Sequence, residues 1–365
     1  MPKIRSRTRG LENVPSRFML IRRTILLPKV FVLGLLALTT AVHYAYSGPP
    51  EKPKITIAVG GKNLFYYLPL TIAERQGYFE NEGLNVTIVD FAGGAKALQA
   101  LMGGSADMVS GAYEHTISMQ AKGQPIKAVV LQARYAGIVL LLPKEKAAQY
   151  KDPKDLKGLK IGITAPGSST NVFVNNLLAQ GGLTSKDVSF IGVGTGASAV
   201  VAMENASIDA IAHLDPIISQ LEISGNYVAV ADTRTPSGMK DLYGGDYLAS
   251  TIYATDSFIT KNPNTVQAVV NAIVRALRWI EQATPEQIVA VVPREYKGAD
   301  ESLYKTALLR NLAGYSPDGQ ISLEAAQNVL RMLKQFDPSV ISSANKLQAE
   351  KTFDNSFAKT ADAKY

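Results

Sequence analysis

The sequence predicts a bilobed α/β protein, and three observations carry that reading. From Ile55 onward, short apolar runs alternate with helix-length amphipathic runs, the pattern of βαβ crossovers in a largely parallel sheet. The alternation occurs twice in tandem, with a fresh start after Lys144. Beyond Pro263 the pattern is helical throughout, so a set of trailing helices follows the second unit.

In order, "GPPEKPK" (Gly48 to Lys54) reads as a flexible lead-in and "ITIAVG" (Ile55 to Gly60) as the first strand. "PLTIAERQGYF" is a helix ending near Gly77, because glycine readily takes the left-handed conformation that ends helices. "LNVTIVDFAG" is the second strand, "AKALQALMGG" a helix, "ADMVSG" the third strand, "HTISMQAKG" a helix and "IKAVVLQA" the fourth strand. "GIVLLLPK" is a further apolar strand, grouped with the first unit. The second unit reads "DPKDLKGLKIGIT" (turn, strand), "SSTNVFVNNLLAQ" (helix), "DVSFIGVG" (strand), "GASAVVAMENA" (helix), "DAIAHLD" (strand), "PIISQLEIS" (helix) and "YVAVAD" (strand). "YLASTIYATDSFITKNP" returns as strand material. Across residues 265–282, Val266, Val269, Val270, Ile273, Leu277 and Ile280 form one apolar stripe at helical spacing, a core-facing helix. Trp279 is read as structural.

Composition narrows the function classes. With 365 residues, 46% hydrophobic, the chain is long enough for two cores. It has no cysteine, which excludes disulfides, thiolate metal sites and cysteine nucleophiles, and its three histidines exclude a His-rich metal centre. The net charge of +7 is local. Residues 1–47 hold eight basic groups (Lys3, Arg5, Arg7, Arg9, Arg17, Arg22, Arg23, Lys29) and one acid, Glu12, leaving 30 of each sign beyond. A basic nucleic-acid footprint is therefore absent from the body of the protein.

That leader runs into "VFVLGLLAL" and then small residues up to Ser47, the form of a secretory signal peptide over residues 1–47. Its apolar core is shorter than the roughly 20 residues a spanning helix needs. An uncleaved membrane anchor is the alternative, and Met19 would begin a more ordinary leader. Arg22-Arg23 raises a twin-arginine route, with Ile25-Leu26 a partial match. Every version exports the body.

Ligands of open α/β sheets sit beyond the carboxyl ends of the strands. Those ends carry Asn63, Phe65 and Tyr66; Gly93 and Gly94; Gly111, Ala112 and Glu114; Arg134; Ser168, Ser169, Thr170 and Asn171; Thr195; and Leu214 with Asp215. Glycine, hydroxyl and amide groups dominate, a cradle suited to a small polar or anionic ligand. "GVGTGAS" (192–198) approaches a dinucleotide fingerprint, but it lies mid-domain and Asp209 opens the next strand instead of ending it, so no cofactor is expected.

Three blocks then carry a family resemblance: "PLTIAERQGYFENEGLNVTIVDFAGGAKALQALMGGSADMVSG" (69–111), "DLKGLKIGITAPGSSTNVFVNNLLAQGGL" (155–183) and "AMENASIDAIAHLDPIIS" (202–219). Over roughly residues 54–285 the chain resembles substrate-binding proteins of ABC importers in the nitrate, sulfonate, taurine and thiamine-precursor group. The resemblance implies a type II periplasmic-binding-protein fold, with two lobes, two crossovers and a ligand cleft between them. Lobe 1 would comprise 54–142 plus 236–365, including the C-terminal helices, and lobe 2 would be 143–235. It implies a non-enzymatic monomer that closes on a small-molecule ligand and docks on a membrane permease. The pocket residues it implies are the strand-end residues above with Ala95 added, and Arg134 at the rim. Sulfonate binders often place tryptophan before the Asp-Pro of the third block; here His213 and Leu214 precede Asp215, which argues against a sulfonate. Glu114 points to a ligand with a hydrogen-bond donor or positive group.

Several roles stay open on sequence alone. Ser168 to Asn171 serve as a helix cap or as ligand contacts; one hydroxyl suffices for a cap. Gly93-Gly94 are a turn or a point of close backbone approach. Arg134 is a lobe-to-lobe salt bridge or a carboxylate clamp, and His115 and His213 read as satisfied, non-catalytic histidines. Two rival functions share the fold or its use. One is a pyrimidine-precursor biosynthetic enzyme, whose relatives rely on a cysteine-rich motif and an active histidine. The other is a ligand-sensing adaptor domain.

Overall fold

The computed structural model describes residues 48–365; the expected signal peptide lies outside the described residues. Ten strands form in the order the apolar runs imply: β1 (Lys54–Val59), β2 (Asn85–Asp90), β3 (Met108–Ala112), β4 (Ile126–Leu131), β5 (Ile138–Pro143), β6 (Lys160–Ile163), β7 (Ser189–Gly192), β8 (Ala210–Leu214), β9 (Tyr227–Asp232) and β10 (Ser250–Thr255). They make two five-stranded sheets, β2-β1-β3-β10-β4 and β7-β6-β8-β5-β9. The two orders are equivalent. In each sheet one antiparallel strand lies between the third and fourth parallel ones, β10 beside β3 and β4, and β5 beside β8 and β9. Each antiparallel strand follows a crossover from the other lobe.

This corrects one boundary. β5 was grouped with the first unit, but it pairs Ile138 with Leu214 and Leu140 with Ala212 in the second sheet. The first crossover therefore precedes Ile138. Ile138 to Leu142 are all buried, so the run announces a central strand without stating which sheet it joins.

The principal helices are α1 (Leu68–Arg75), α2 (Gly94–Met102), α3 (Glu114–Ala121), α4 (Ser169–Gln180), α5 (Ala197–Glu204), α6 (Pro236–Tyr243), α7 (Pro263–Gln282), α8 (Glu301–Asn311) and α9 (Leu323–Leu333). α2, α3, α4 and α5 each begin within a few residues beyond a parallel strand, so their N-termini gather at the carboxyl edges of the sheets. α6 lies in a stretch without a sequence assignment; Thr235 Oγ1 accepts the Gly238 N–H at its start, and Pro236 pre-sets the first turn. The apolar stripe of α7 is buried as its spacing requires, against α1 and the C-terminal helix Ser356–Lys364. Each such aliphatic side chain contributes about 1.5–3 kcal/mol on burial.

The trailing helices tie the lobes together near the crossovers. On the lobe 1 side, Tyr304 of α8 packs on Phe65 with ring centroids 4.7 Å apart, and the Tyr315 hydroxyl donates to the Phe65 carbonyl at 2.8 Å. Toward lobe 2, Asn311 Nδ2 donates to Asp215 Oδ2 at 2.8 Å and Arg310 to Glu222 at 2.7 Å. Asp215 and Arg234 are both buried, and Arg234 also bonds Asp232 and Glu222. Three carboxylates thus share one guanidinium, which its planar fork permits.

Replacing Arg234 with alanine leaves Asp215 buried without its cation. We expect a loss of about 3–5 kcal/mol in urea unfolding of Arg234→Ala. A loss under about 1 kcal/mol would show that Asn311 and the Ser219 N–H suffice for Asp215.

Candidate functional site

The lobes meet where glycines leave room. A Cβ on Gly60 would sit 2.2 Å from the Gly94 nitrogen, so the end of β1 presses directly on the turn that opens α2. Gly93 has φ +129°, and a Cβ there would reach 2.9 Å from Ala165 Cβ and 3.1 Å from Ser168 Oγ across the cleft. Close approach is thus the role of Gly93, toward the other lobe, and of Gly94, toward Gly60 of its own lobe. Hydrogen bonds cross between the strand ends: Ala95 N–H to Ser168 Oγ at 3.0 Å, Asn63 Nδ2 to the Thr195 carbonyl at 3.1 Å, Phe65 N–H to the Asp215 carbonyl at 3.1 Å, and His115 Nε2 to the Gly167 carbonyl at 3.3 Å. A carbonyl only accepts, so His115 Nε2 carries the proton and Nδ1 accepts from the Tyr253 hydroxyl, 2.9 Å away.

The four polar residues opening α4 divide their work. Ser168 is the N-cap by position, yet its hydroxyl makes no cap bond and instead accepts from the first turn of α2 in the other lobe. Thr170 turns inward, accepting the Thr164 N–H at 3.0 Å. Asn171 Oδ1 accepts the Gly167 N–H at 2.9 Å, while its Nδ2 is buried with no partner. Ser169 lies beside the buried Tyr66 hydroxyl and, among the described residues, is its only polar neighbour close enough to lower the phenol's pKa.

Glu114 opens α3 beneath this junction and is 2% exposed. Oε1 accepts the Tyr247 hydroxyl, whereas Oε2 is buried and unpartnered. Burial pushes its carboxyl up to about 7, with the Tyr247 bond acting in the opposite sense. Burial likewise drives His115 down to about 4, despite its bond to Gly167. Tyr66, Tyr67, Tyr243, Tyr247 and Tyr253 all feel the Glu114 charge, and burial foremost keeps each phenol neutral. Tyr243 and Tyr247 stack at 4.0 Å between centroids, and Tyr66 meets Tyr67 edge-on at 5.0 Å. A groove of about 850 Å³ runs along both lobes and reaches Glu114, His115, Gly167 and Asn171.

The structure thus brings Asn63, Phe65, Gly93, Ala95, Ser168, Thr195 and Asp215 into cross-lobe contact, and sets Tyr66, Glu114, Ser169 and Asn171 around unpartnered polar atoms. Gly94 lies at this junction, 3.5 Å (as a virtual Cβ) from the Tyr67 hydroxyl. Gly111 makes room for Tyr253, which a Cβ would meet at 2.8 Å, and Ala112 is buried opposite Ser250. Leu214 lines a space of about 20 Å³ beside Phe65 and Tyr66. Arg134 departs from one expectation: among the described residues it makes no lobe-to-lobe salt bridge. Exposed, it donates to the Ala313 carbonyl at 3.3 Å and lies over Tyr135, because the crossover turns it outward. Tyr243, Tyr247 and Tyr253 were missed. Tyr243 and Tyr247 come from the return crossover, far along the chain, and only a count of buried phenols around Glu114 identifies them. Among the described residues no cluster of His, Asp or Glu is arranged for a metal.

Residues 64–288 match the family described as NMT1/THI5 like. A solved structure from Bordetella bronchiseptica RB50 is 50% identical, covers 87% of this chain and 99% of its own, and superposes with a TM-score of 0.84. The periplasmic nitrate-binding protein NrtA from Synechocystis PCC 6803 has a TM-score of 0.69 at 17% identity, covering 87% and 90%, which shows the shared fold. Among curated proteins, the Schizosaccharomyces pombe 4-amino-5-hydroxymethyl-2-methylpyrimidine phosphate synthase is 26% identical over 60% of this chain. The match spans 63% of that relative's length.

Glu114 gives the site a pH signature. Its folded carboxyl lies near 7 against 4.5 in the unfolded chain, so its stabilising share is complete below 4.5 and is lost as pH rises through 7. His115 acts oppositely, losing its share as pH falls from 6.5 toward 4. Comparing Glu114→Gln with the parent isolates the first effect. From pH 4.5 to 8 the variant should gain up to about 3 kcal/mol relative to the parent in urea unfolding. A pH-independent difference would mean that Glu114 titrates normally.

Proposed function

The chain belongs to the NMT1/THI5 like family, and from that premise we propose that it is an extracytoplasmic solute-binding subunit of an ABC importer. It captures a small organic solute by lobe closure and presents the closed form to a membrane permease. The observation that carries this reading is the junction itself. Strand-end groups from both lobes bond each other across the cleft, while Glu114 Oε2 and Asn171 Nδ2 stay buried without partners. Closing around a solute supplies those atoms with partners, so the closed state is stabilised by a ligand that touches both lobes at once. The fold shared with a periplasmic nitrate-binding protein supports export of the mature domain.

The second reading is the pyrimidine phosphate synthase named among the relatives. Two observations weigh against it. The sequence holds no cysteine for the motif on which those enzymes rely. His115, moreover, is held neutral by burial, with Tyr253 on one ring nitrogen and Gly167 on the other.

A thermal-shift screen against small solutes should yield a ligand that raises the melting temperature, followed by a smaller radius of gyration in solution scattering on saturation. A bound solute recovered chemically unchanged supports capture; conversion to a product would favour the enzyme. Ser168→Ala strands the Ala95 N–H on closing, at a cost of about 1–3 kcal/mol, so that variant should bind the same ligand about tenfold or more weakly. An unchanged radius on saturation overturns the closure mechanism.

A further inference from the structure

The importer reading leaves the solute unnamed, and the ligand class inferred for it rests on that reading. Two buried acids flank the cleft, and they are treated differently. Asp215 has Arg234 beside it, together with Asn311 and the Ser219 N–H. Glu114 receives only a phenol on one oxygen, its other oxygen is bare, and no charged group of the protein offsets its burial. Its electrostatic neighbours are the neutral phenols of Tyr66 and Tyr67 after β1, Tyr243 and Tyr247 from the return crossover, and Tyr253 of β10. His115, next in sequence, is held neutral by burial. Phenols tolerate a cation well, since their ring faces are electron-rich.

We propose that the ligand is a small protonated amine, and that its ammonium group is the counter-ion Glu114 lacks. At least one N–H must be present, because as a carboxylate Glu114 accepts at Oε2 and needs a donor there. Across the cleft, the free Asn171 Nδ2 is itself a donor and calls for an acceptor on the same solute, a hydroxyl or carbonyl near the amine. Tyr66 Oη serves either partner. An anion placed against Glu114 itself is disfavoured, because the carboxyl would have to stay protonated; Lys122 and Lys186 line the same groove away from it. Burial holds the carboxyl near 7, so binding a cation at neutral pH shifts it to carboxylate and releases a proton.

The test is calorimetry at pH 7 on the protein with ethanolamine, benzylamine and tyramine, against benzyl alcohol and benzoate, in two buffers of different ionisation enthalpy. At least one amine should bind ten times more tightly than the alcohol or the acid, and should release a measurable fraction of a proton. Glu114→Gln should lose at least tenfold in amine affinity and all of the proton release while keeping its far-UV dichroism. Proton release in the unmodified protein remains diagnostic if that variant folds poorly. Tighter binding of benzoate than of any amine, or no amine binding, overturns the ligand class and leaves the importer standing. The importer reading itself falls only if the wider solute screen also fails to produce closure.

Discussion

The hydrogen bond from the Ala95 N–H to Ser168 Oγ is the contact on which the arrangement of this protein turns. It joins the start of a helix in one lobe to the start of a helix in the other, in a place that only glycine permits. Gly93 at φ +129° brings the α2 turn to within van der Waals contact of Ala165 and Ser168. A residue with a side chain there would be strained by its backbone and would also push the lobes apart. Neither lobe satisfies this helix end by itself, since Ser168 makes no cap bond within its own helix.

Strand exchange links the two lobes at this contact. Each sheet contains one strand that has crossed from the other lobe, β5 in the second and β10 in the first. Under the importer function proposed above, the two crossovers serve as its hinge. Around them, α8 packs on Phe65 from one side and bonds Asp215 and Glu222 from the other, so the trailing helices buttress the hinge.

Charge separates the structural from the functional part of the cleft. The Arg234 cluster is compensated, and its geometry is that of a fixed support. Glu114 is uncompensated within a wall of tyrosines, and burying an acid without a cation is costly enough to need a reason. A guest that completes it supplies that reason.

Much of the fold was legible in the sequence. Alternating apolar and amphipathic runs located all ten strands, since period and length report local burial directly. The α7 stripe was equally plain. Strand ends pointed to the loops that now form the junction, because ligand clefts of open sheets follow from chain direction alone. Sequence did not decide which sheet receives β5: a run buried on both faces carries no mark of its neighbours. It did not separate the duties of Ser168, which meets the other lobe at 3.0 Å, from those of Thr170 and Asn171, which bond the turn just before their own helix. Nor did it gather Tyr243, Tyr247 and Tyr253 around Glu114, or turn Arg134 away. Local pattern determined the elements and their order. Only the tertiary structure, through partners 52 or more residues apart around the junction, decided which polar atoms are satisfied and which are not.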